Sequence, residues 1–118
     1  HAGGLRYHGM APIVSHLVNN GYVNPESYTQ LDVFKAGILF AKYEGIIPAP
    51  EANHAVKGAI EAALRAKESG ESKTILFNLC GHGNFDMQAY IDYFEGKLFD
   101  QEYSDEEIGM ALSGLPSV

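Results

Sequence analysis

The chain has 118 residues, of which 46% are hydrophobic and 19% are charged, and its formal charge is −7. This composition is typical of one globular domain and excludes a disordered chain. Only 8 residues are Lys or Arg, which is too few for a basic surface that follows nucleic acid or an anionic membrane. No apolar run approaches the roughly 20 residues that cross a bilayer.

Cys80 is the single cysteine, so no disulfide can form within the chain. This favours a reducing compartment, and we expect a cytoplasmic protein. The sequence starts with His-Ala-Gly-Gly and has no initial Met. We interpret this start as the middle of a motif and expect the chain to be a fragment.

Two helices are predicted in the first 45 residues. The first begins near Pro12, which suits an early helical position, and Gly21 closes it. The second has Thr29 as N-cap, with Asp32 in a capping-box-like position, and ends at Gly45. The apolar stripe of the second helix is expected to contain Leu31, Phe34, Ile38 and Ala41.

Three further helices are predicted. One starts near Pro50 and ends at Gly70, and small residues on one face allow close packing. These residues are Ala52, Ala55, Val56, Ala59, Ile60, Ala63 and Leu64. Asp86 is expected to cap a fourth helix, and Ser104 with Glu107 indicates a short last one.

Residues 74–79 are the one strong strand candidate. A buried parallel strand needs neighbours, so three arrangements stay open. The strand pairs with Tyr22 and Val23, with another chain, or with strands upstream of this sequence, which we favour. The predicted fold class is therefore α/β, as a helix-rich, partial three-layer unit.

The strand leads into a glycine loop, residues 80–84, where α/β folds commonly bind ligands. Gly81 and Gly83 permit close approach of a planar or anionic group, although a plain tight turn explains them equally well. Cys80 with His82 would suit a small hydrolase, and His82 with Asp86 a metal site. Both of these alternatives are disfavoured, because a free cysteine usually behaves as a small hydrophobe and the histidines have no recognised ligand spacing.

Three segments together resemble the tryptophan synthase beta family. They read G-G-L-R-Y-H-G-M-A-P at residues 3–12, E-G-I-I-P-A-P-E-A-N-H-A at 44–55, and N-L-C-G-H-G-N-F-D at 78–86. Their forms around Arg6 and His82 are similar to the divergent second subtype. The resemblance covers residues 1–98, taken as a C-terminal part of that fold, and leaves residues 99–118 as an acidic tail with a short helix.

The resemblance implies a lyase of amino-acid biosynthesis with a fold-type-II pyridoxal-phosphate architecture, two α/β lobes enclosing the cofactor. The implied reaction replaces the hydroxyl of L-serine with indole, which gives L-tryptophan and water. Cys80 matches a serine that binds the pyridine nitrogen of the cofactor, and a thiol there is a weaker donor. Glu51 matches a glutamate beside the ring, while Gly4 and Gly81 match backbone that flanks the cofactor.

The same resemblance implies a monovalent cation held by the backbone carbonyls of Leu5, Tyr7 and Gly9. It also implies a homodimer and a tryptophan synthase alpha chain as partner. Arg6 replaces an acid of the common subtype, so the closure switch that uses this acid is not expected here.

The family's Schiff-base lysine and its phosphate-binding loop match nothing in this chain, and none of its six lysines falls in a matching motif. These are Lys35, Lys42, Lys57, Lys67, Lys73 and Lys97. The chain by itself is therefore predicted to be inactive, with no catalytic residue and no firmly bound cofactor. The alternative is a non-catalytic module that stands alone and self-associates to cover its exposed strand.

Overall fold

A computed structural model describes residues 3–5, 9–101 and 104–114. Within these ranges the chain forms five α-helices and two 3-10 turns. The helices are α1 Pro12–Asn19, α2 Gln30–Glu44, α3 Pro50–Ser69, α4 Met87–Phe94 and α5 Asp105–Ser113, and the turns are Gly3–Leu5 and Gly83–Phe85.

The helix ends follow local signals in the sequence. Pro12 and Pro50 occupy the first turns of α1 and α3, where a missing N–H costs no hydrogen bond. Gly45 and Gly70 end α2 and α3 with φ of 70°, a left-handed conformation that glycine adopts without strain. Ser104 and Glu107 form the predicted capping box of α5.

The core lies where α2 packs against α3 and α4. Its buried cluster contains Val33, Phe34, Ala89 and Tyr90. The predicted stripe of α2 was only partly right, because Phe34 is buried but Leu31, Ile38 and Ala41 are half-buried. Because α2 contacts two other helices, the adjacent face of α2 is buried as well. This face carries Val33, Ala36 and Gly37.

Residues 74–79 form no strand in the described part of the chain, and no sheet is present there. The only strand-like pairing in these ranges is an antiparallel bridge between Pro48 and His82. Pairing with upstream strands stays a prediction, and no strand forms in these ranges, since a ladder needs a second segment in hydrogen-bonding register. Neither Tyr22 nor Val23 provides one, and the α/β class is not visible in these residues alone.

The surface is large for a chain of this mass. Its accessible area is 9248 Å² at 12.8 kDa, whereas a folded monomer of this mass exposes about 6,300 Å². Leu76 is 92% and Phe85 93% exposed. Among the residues that the structure describes, no helix combines the length and apolar character of a membrane span.

The start of α2 is capped by a distant residue. The Asp100 carboxylate accepts a hydrogen bond of 2.9 Å from the Leu31 N–H, and the Gln30 side chain donates to the Phe99 carbonyl at 3.0 Å. Thr29 is the N-cap residue as predicted, but its side chain makes no capping bond. The predicted capping by Thr29 and Asp32 is thus replaced by a contact from beyond residue 98.

Replacing Asp100 with Ala is expected to lower the free energy of unfolding by about 1 kcal/mol, because the first turn of α2 loses its acceptor. Asp32→Ala is the matched control, since Asp32 lies exposed in the same first turn. Urea denaturation followed by circular dichroism measures both. An equal or larger loss in Asp32→Ala would contradict capping by Asp100.

Candidate functional site

A backbone bridge joins two of the three sequence motifs. The Ala49 N–H donates to the Gly81 carbonyl at 2.8 Å, and the Gly83 N–H donates to the Ile47 carbonyl at 2.7 Å. One of the bridged segments, residues 47–49, leads directly into α3, and the other, residues 81–83, belongs to the glycine loop. Cys80 and Glu51 therefore flank a hydrogen-bonded pair, one residue from Gly81 and two residues from Ala49.

Gly83 is required at the bridge for steric reasons. A Cβ at this position would lie 2.5 Å from the Pro48 carbonyl oxygen and 2.8 Å from Cγ2 of Ile47. Gly81 is less crowded, with Ala49 Cβ at 3.1 Å. The two glycines thus let the loop approach residues 47–49 closely, which is one of the roles that the sequence suggested.

A buried polar cluster lies behind the bridge. The Tyr90 hydroxyl donates to the Pro48 carbonyl at 2.5 Å, and it accepts from Nδ2 of Asn53 at 3.0 Å. Asn53 is fully buried, and a Cβ on Gly37 would lie 2.0 Å from its Oδ1. The cluster therefore ties α2, α3, α4 and the 47–49 segment together.

The electrostatics of Tyr90 suit this role. Burial raises the pKa of the Tyr90 hydroxyl, partly offset by the hydrogen bond with Asn53. An ordinary tyrosine is already protonated at neutral pH, so the raised pKa extends to higher pH the range in which the Tyr90 hydroxyl donates to the Pro48 carbonyl.

Three of the four predicted cofactor-binding residues lie on the two segments that the bridge joins. Glu51 is half-buried in the first turn of α3, where the helix dipole stabilises a carboxylate. Cys80 is exposed and free, and Gly81 is half-buried. Gly4 lies in the Gly3–Leu5 turn, which contacts α3. Glu51, Cys80 and Gly81 thus belong to the bridge or lie within two residues of it. We call the two joined segments, residues 47–51 and 80–83, the wall.

The predicted cation site is only partly described. Leu5 lies at the end of the Gly3–Leu5 turn and is 52% exposed, and Gly9 is an exposed bend residue. Tyr7, like Arg6 and His8, lies outside the described residues. The cation therefore stays a prediction.

The alternatives that use His82 gain no support. The Nδ1 atom of His82 accepts from the Asn84 N–H at 3.3 Å, and no hydrogen bond joins His82 to Cys80 within the described ranges. In the same ranges, no three of the His, Cys, Asp and Glu residues cluster to hold a metal ion. His82 is thus engaged in capping the 3-10 turn that follows it.

An apolar groove of about 430 Å³ lies between α2, α3 and residues 75–77. It contains none of the predicted site residues. Its lining residues are Leu39, Phe40, Tyr43, Glu44, Val56, Ala59, Ile60, Ala63, Ile75 and Phe77. Glu44 is the one charged side chain among them, so the groove suits apolar packing better than a polar cofactor.

Sequence reasoning missed Tyr90 and Asn53. Neither residue was among the candidate site residues. The available signal was the position of Asn53, a polar residue among the small apolar residues of α3. A buried amide needs partners, but the identity of those partners depends on the tertiary fold.

No family model matches the chain, but individual proteins do. The tryptophan synthase beta chain of Thermococcus gammatolerans is 61% identical over 102 residues, which are 86% of this chain and 23% of that protein. Tryptophan synthase beta chain 2 of Pyrococcus furiosus is 54% identical over 116 residues, which are 98% of this chain and 26% of that protein. Tryptophan synthase beta chain 2 of Aquifex aeolicus is 58% identical over 100 residues, which are 85% of this chain and 23% of that protein.

By name, these three relatives are synthase subunits. The chain belongs to the tryptophan synthase beta chain family, in which it corresponds to a C-terminal segment. It spans about a quarter of the length of the curated relatives that it matches. The family expected from the three motifs is thereby confirmed.

Gly83→Ala is expected to lower the free energy of unfolding by about 1–3 kcal/mol, because the added methyl group pushes the bridge apart. Gly58→Ala in α3 is the control, since its Cβ would meet only Tyr28 atoms at 3.7 Å or more. We expect it to be neutral or stabilising, because alanine favours the helix. Thermal unfolding of both variants provides the measurement. A tolerated alanine at Gly83 would contradict the close approach.

Proposed function

We propose that the chain is a segment of a pyridoxal-phosphate-dependent beta-type subunit that converts L-serine and indole to L-tryptophan and water. The observation that carries the proposal is the bridge between residues 47–49 and 81–83, because it unites two family motifs in one wall. The identity of 54–61% to tryptophan synthase beta chains supports it. Several relatives named beta chain 2 favour the second subtype.

In this proposal the cofactor, when bound, supplies the electron sink for the reaction. The thiol of Cys80 would hold the pyridine nitrogen as a weak hydrogen-bond donor. Glu51 would supply a carboxylate, stabilised by the start of α3, to the same group. Gly81 and Gly4 contribute backbone that the cofactor can approach closely. The exposed thiol and the half-buried carboxylate next to one bridge fit these roles.

We further propose that the segment alone is inactive. Five of its six lysines are exposed, and the sixth, Lys57, forms an ion pair with Glu61 at 2.6 Å. The hydrogen bond with Glu61 raises the pKa of Lys57, which favours the protonated amine over the nucleophilic one. The positions and charges of these lysines thus support a Schiff-base lysine supplied by another part of the subunit.

The excess surface supports a larger parent structure. The remainder of the subunit is proposed to pair with residues 74–79 as sheet neighbours and to cover the α2–α3 groove.

The proposed parent is a cytoplasmic homodimer with an alpha chain as partner. The boundary between residues 1–98 and 99–118 stays a proposal, and Phe99 and Asp100 are bound to α2. If the segment is separated from the remainder, its exposed apolar residues favour self-association.

The full subunit that contains this segment is expected to form tryptophan from L-serine and indole. Cys80→Ser is expected to keep this activity within about tenfold, because a hydroxyl is also a neutral donor and acceptor. Tryptophan formation and cofactor absorbance after dialysis are the measurements. Complete loss of activity in Cys80→Ser with the cofactor retained would favour thiol chemistry instead.

The 118-residue chain provides the second arm of this test. Mixed with pyridoxal phosphate and dialysed, it is expected to retain no cofactor absorbance, whereas the full subunit does. Retention by the short chain would overturn the proposed inactivity. Sedimentation velocity of the same sample shows whether the chain self-associates.

A further inference from the structure

We propose that Tyr90 and Asn53 are positioning residues, which fix the Cys80 loop against the Glu51 turn and so set the geometry of the wall. The inference rests on the proposed function and adds two buried residues to it. Neither residue belongs to the predicted cofactor set, and both are buried, with Tyr90 at 4% and Asn53 at 0% exposed.

Tyr90 connects the two segments that carry Cys80 and Glu51. Tyr90 lies on α4, which follows the glycine loop, and its hydroxyl donates to the Pro48 carbonyl, which precedes α3. This bond therefore links the element after Cys80 to the element before Glu51. The bridge links the same two segments through backbone alone. Together the two connections fix the distance and the rotation between the segments.

The Tyr90 ring and hydroxyl are closely packed on all the sides that the structure describes. The Tyr90 ring packs edge-on against Phe34, with centroids 5.1 Å apart, and its Cε2 would lie 3.0 Å from a Cβ on Gly83. Asn53 holds the other side of the hydroxyl, and Gly37 leaves no room behind the amide. The ring is thus held by packing, and the hydroxyl transmits its position to Pro48.

Loss of the Tyr90 hydroxyl is expected to loosen the Pro48 segment. Tyr90→Phe keeps the ring contacts but leaves the Pro48 carbonyl and the Asn53 amide without this buried partner. An unsatisfied buried polar group is unfavourable enough to displace its segment towards water. The displaced segment is the one that leads into Glu51 and bonds to the Cys80 loop. A small shift of such groups lowers turnover more than it lowers substrate binding.

Tyr93 supplies a matched control on the same helix. Its ring stacks on Phe34, with centroids 5.6 Å apart and planes 15° apart. Its hydroxyl makes no hydrogen bond to any residue of the described ranges. Tyr93→Phe therefore removes the same atom from the same helix and the same aromatic cluster without cutting the Pro48 connection.

The test uses the full subunit with Tyr90→Phe, Tyr93→Phe and Val56→Ala. Val56 is buried on α3 and lines the groove, so its truncation controls for a general loss of stability. The first readout is the alkylation rate of Cys80 by N-ethylmaleimide in cofactor-free protein, followed by peptide mass. The second is the change in kcat against the change in KM for L-serine.

Tyr90→Phe is expected to change the alkylation rate of Cys80 at least about threefold and to lower kcat about tenfold, with KM changed less. Tyr93→Phe and Val56→Ala are expected to stay within about twofold of the parent in both the alkylation rate and kcat. Equal behaviour of the two tyrosine variants overturns the proposal. So does an equal change in alkylation for Val56→Ala at a similar melting temperature, because general loosening then explains the effect.

Asn53→Ala and the alkylation of Cys80 keep the positioning role testable if Tyr90→Phe does not fold or if the cofactor does not bind. If Tyr90→Phe fails to fold, Asn53→Ala is measured in its place, because it removes a partner of the hydroxyl and leaves the Pro48 bond. It is expected to change both readouts in the same direction, and no change overturns the proposal. If the parent subunit does not bind pyridoxal phosphate, the proposed function fails, whereas the alkylation of Cys80 still tests the positioning role.

Discussion

Two backbone hydrogen bonds between residues 47–49 and 81–83 connect parts of the chain that are more than 30 residues apart in sequence. So short a bridge is weak by itself, because an isolated pair has no neighbouring ladder to share the cost of ordering the backbone. Its persistence depends on the packing behind it. Gly83 fits beneath the Pro48 carbonyl only because it has no side chain, and Tyr90 binds that same carbonyl.

The helices are arranged around this junction as well as around the apolar cluster that packs beside it. The contact of α2 with α3 is close because Gly37 faces the Asn53 amide, and Asn53 in turn binds Tyr90 on α4. A buried polar cluster is directional, so it specifies one arrangement of the three helices where hydrophobic packing would tolerate several. The apolar residues Phe34, Val33 and Ala89 then exclude water from the cluster.

The limits of prediction from the sequence follow the range of each interaction. Gly45 and Gly70 end helices for reasons of local backbone conformation, and the Ser104 capping box spans three residues, so all were predictable. Asp100 caps a helix that begins 70 residues earlier, and nothing near Thr29 signals it. Residues 74–79 have the strong local pattern of a strand, yet a ladder is a property of two segments and the described residues contain only one of them.

The candidate site shows the same division. Glu51, Gly81 and Cys80 were found because a motif places them in sequence, whereas Tyr90 and Asn53 act through contacts that only the fold creates. One sequence motif can therefore contain both candidate site residues and residues that only pack. Residues 44–55 and 78–86 are separate in sequence, but two backbone hydrogen bonds join them. Asn53 lies inside the first of these segments and is fully buried. Part of that motif therefore supports the packing behind the bridge, while Glu51, two residues earlier, is half-buried and matches a residue that the family motif assigns to the cofactor.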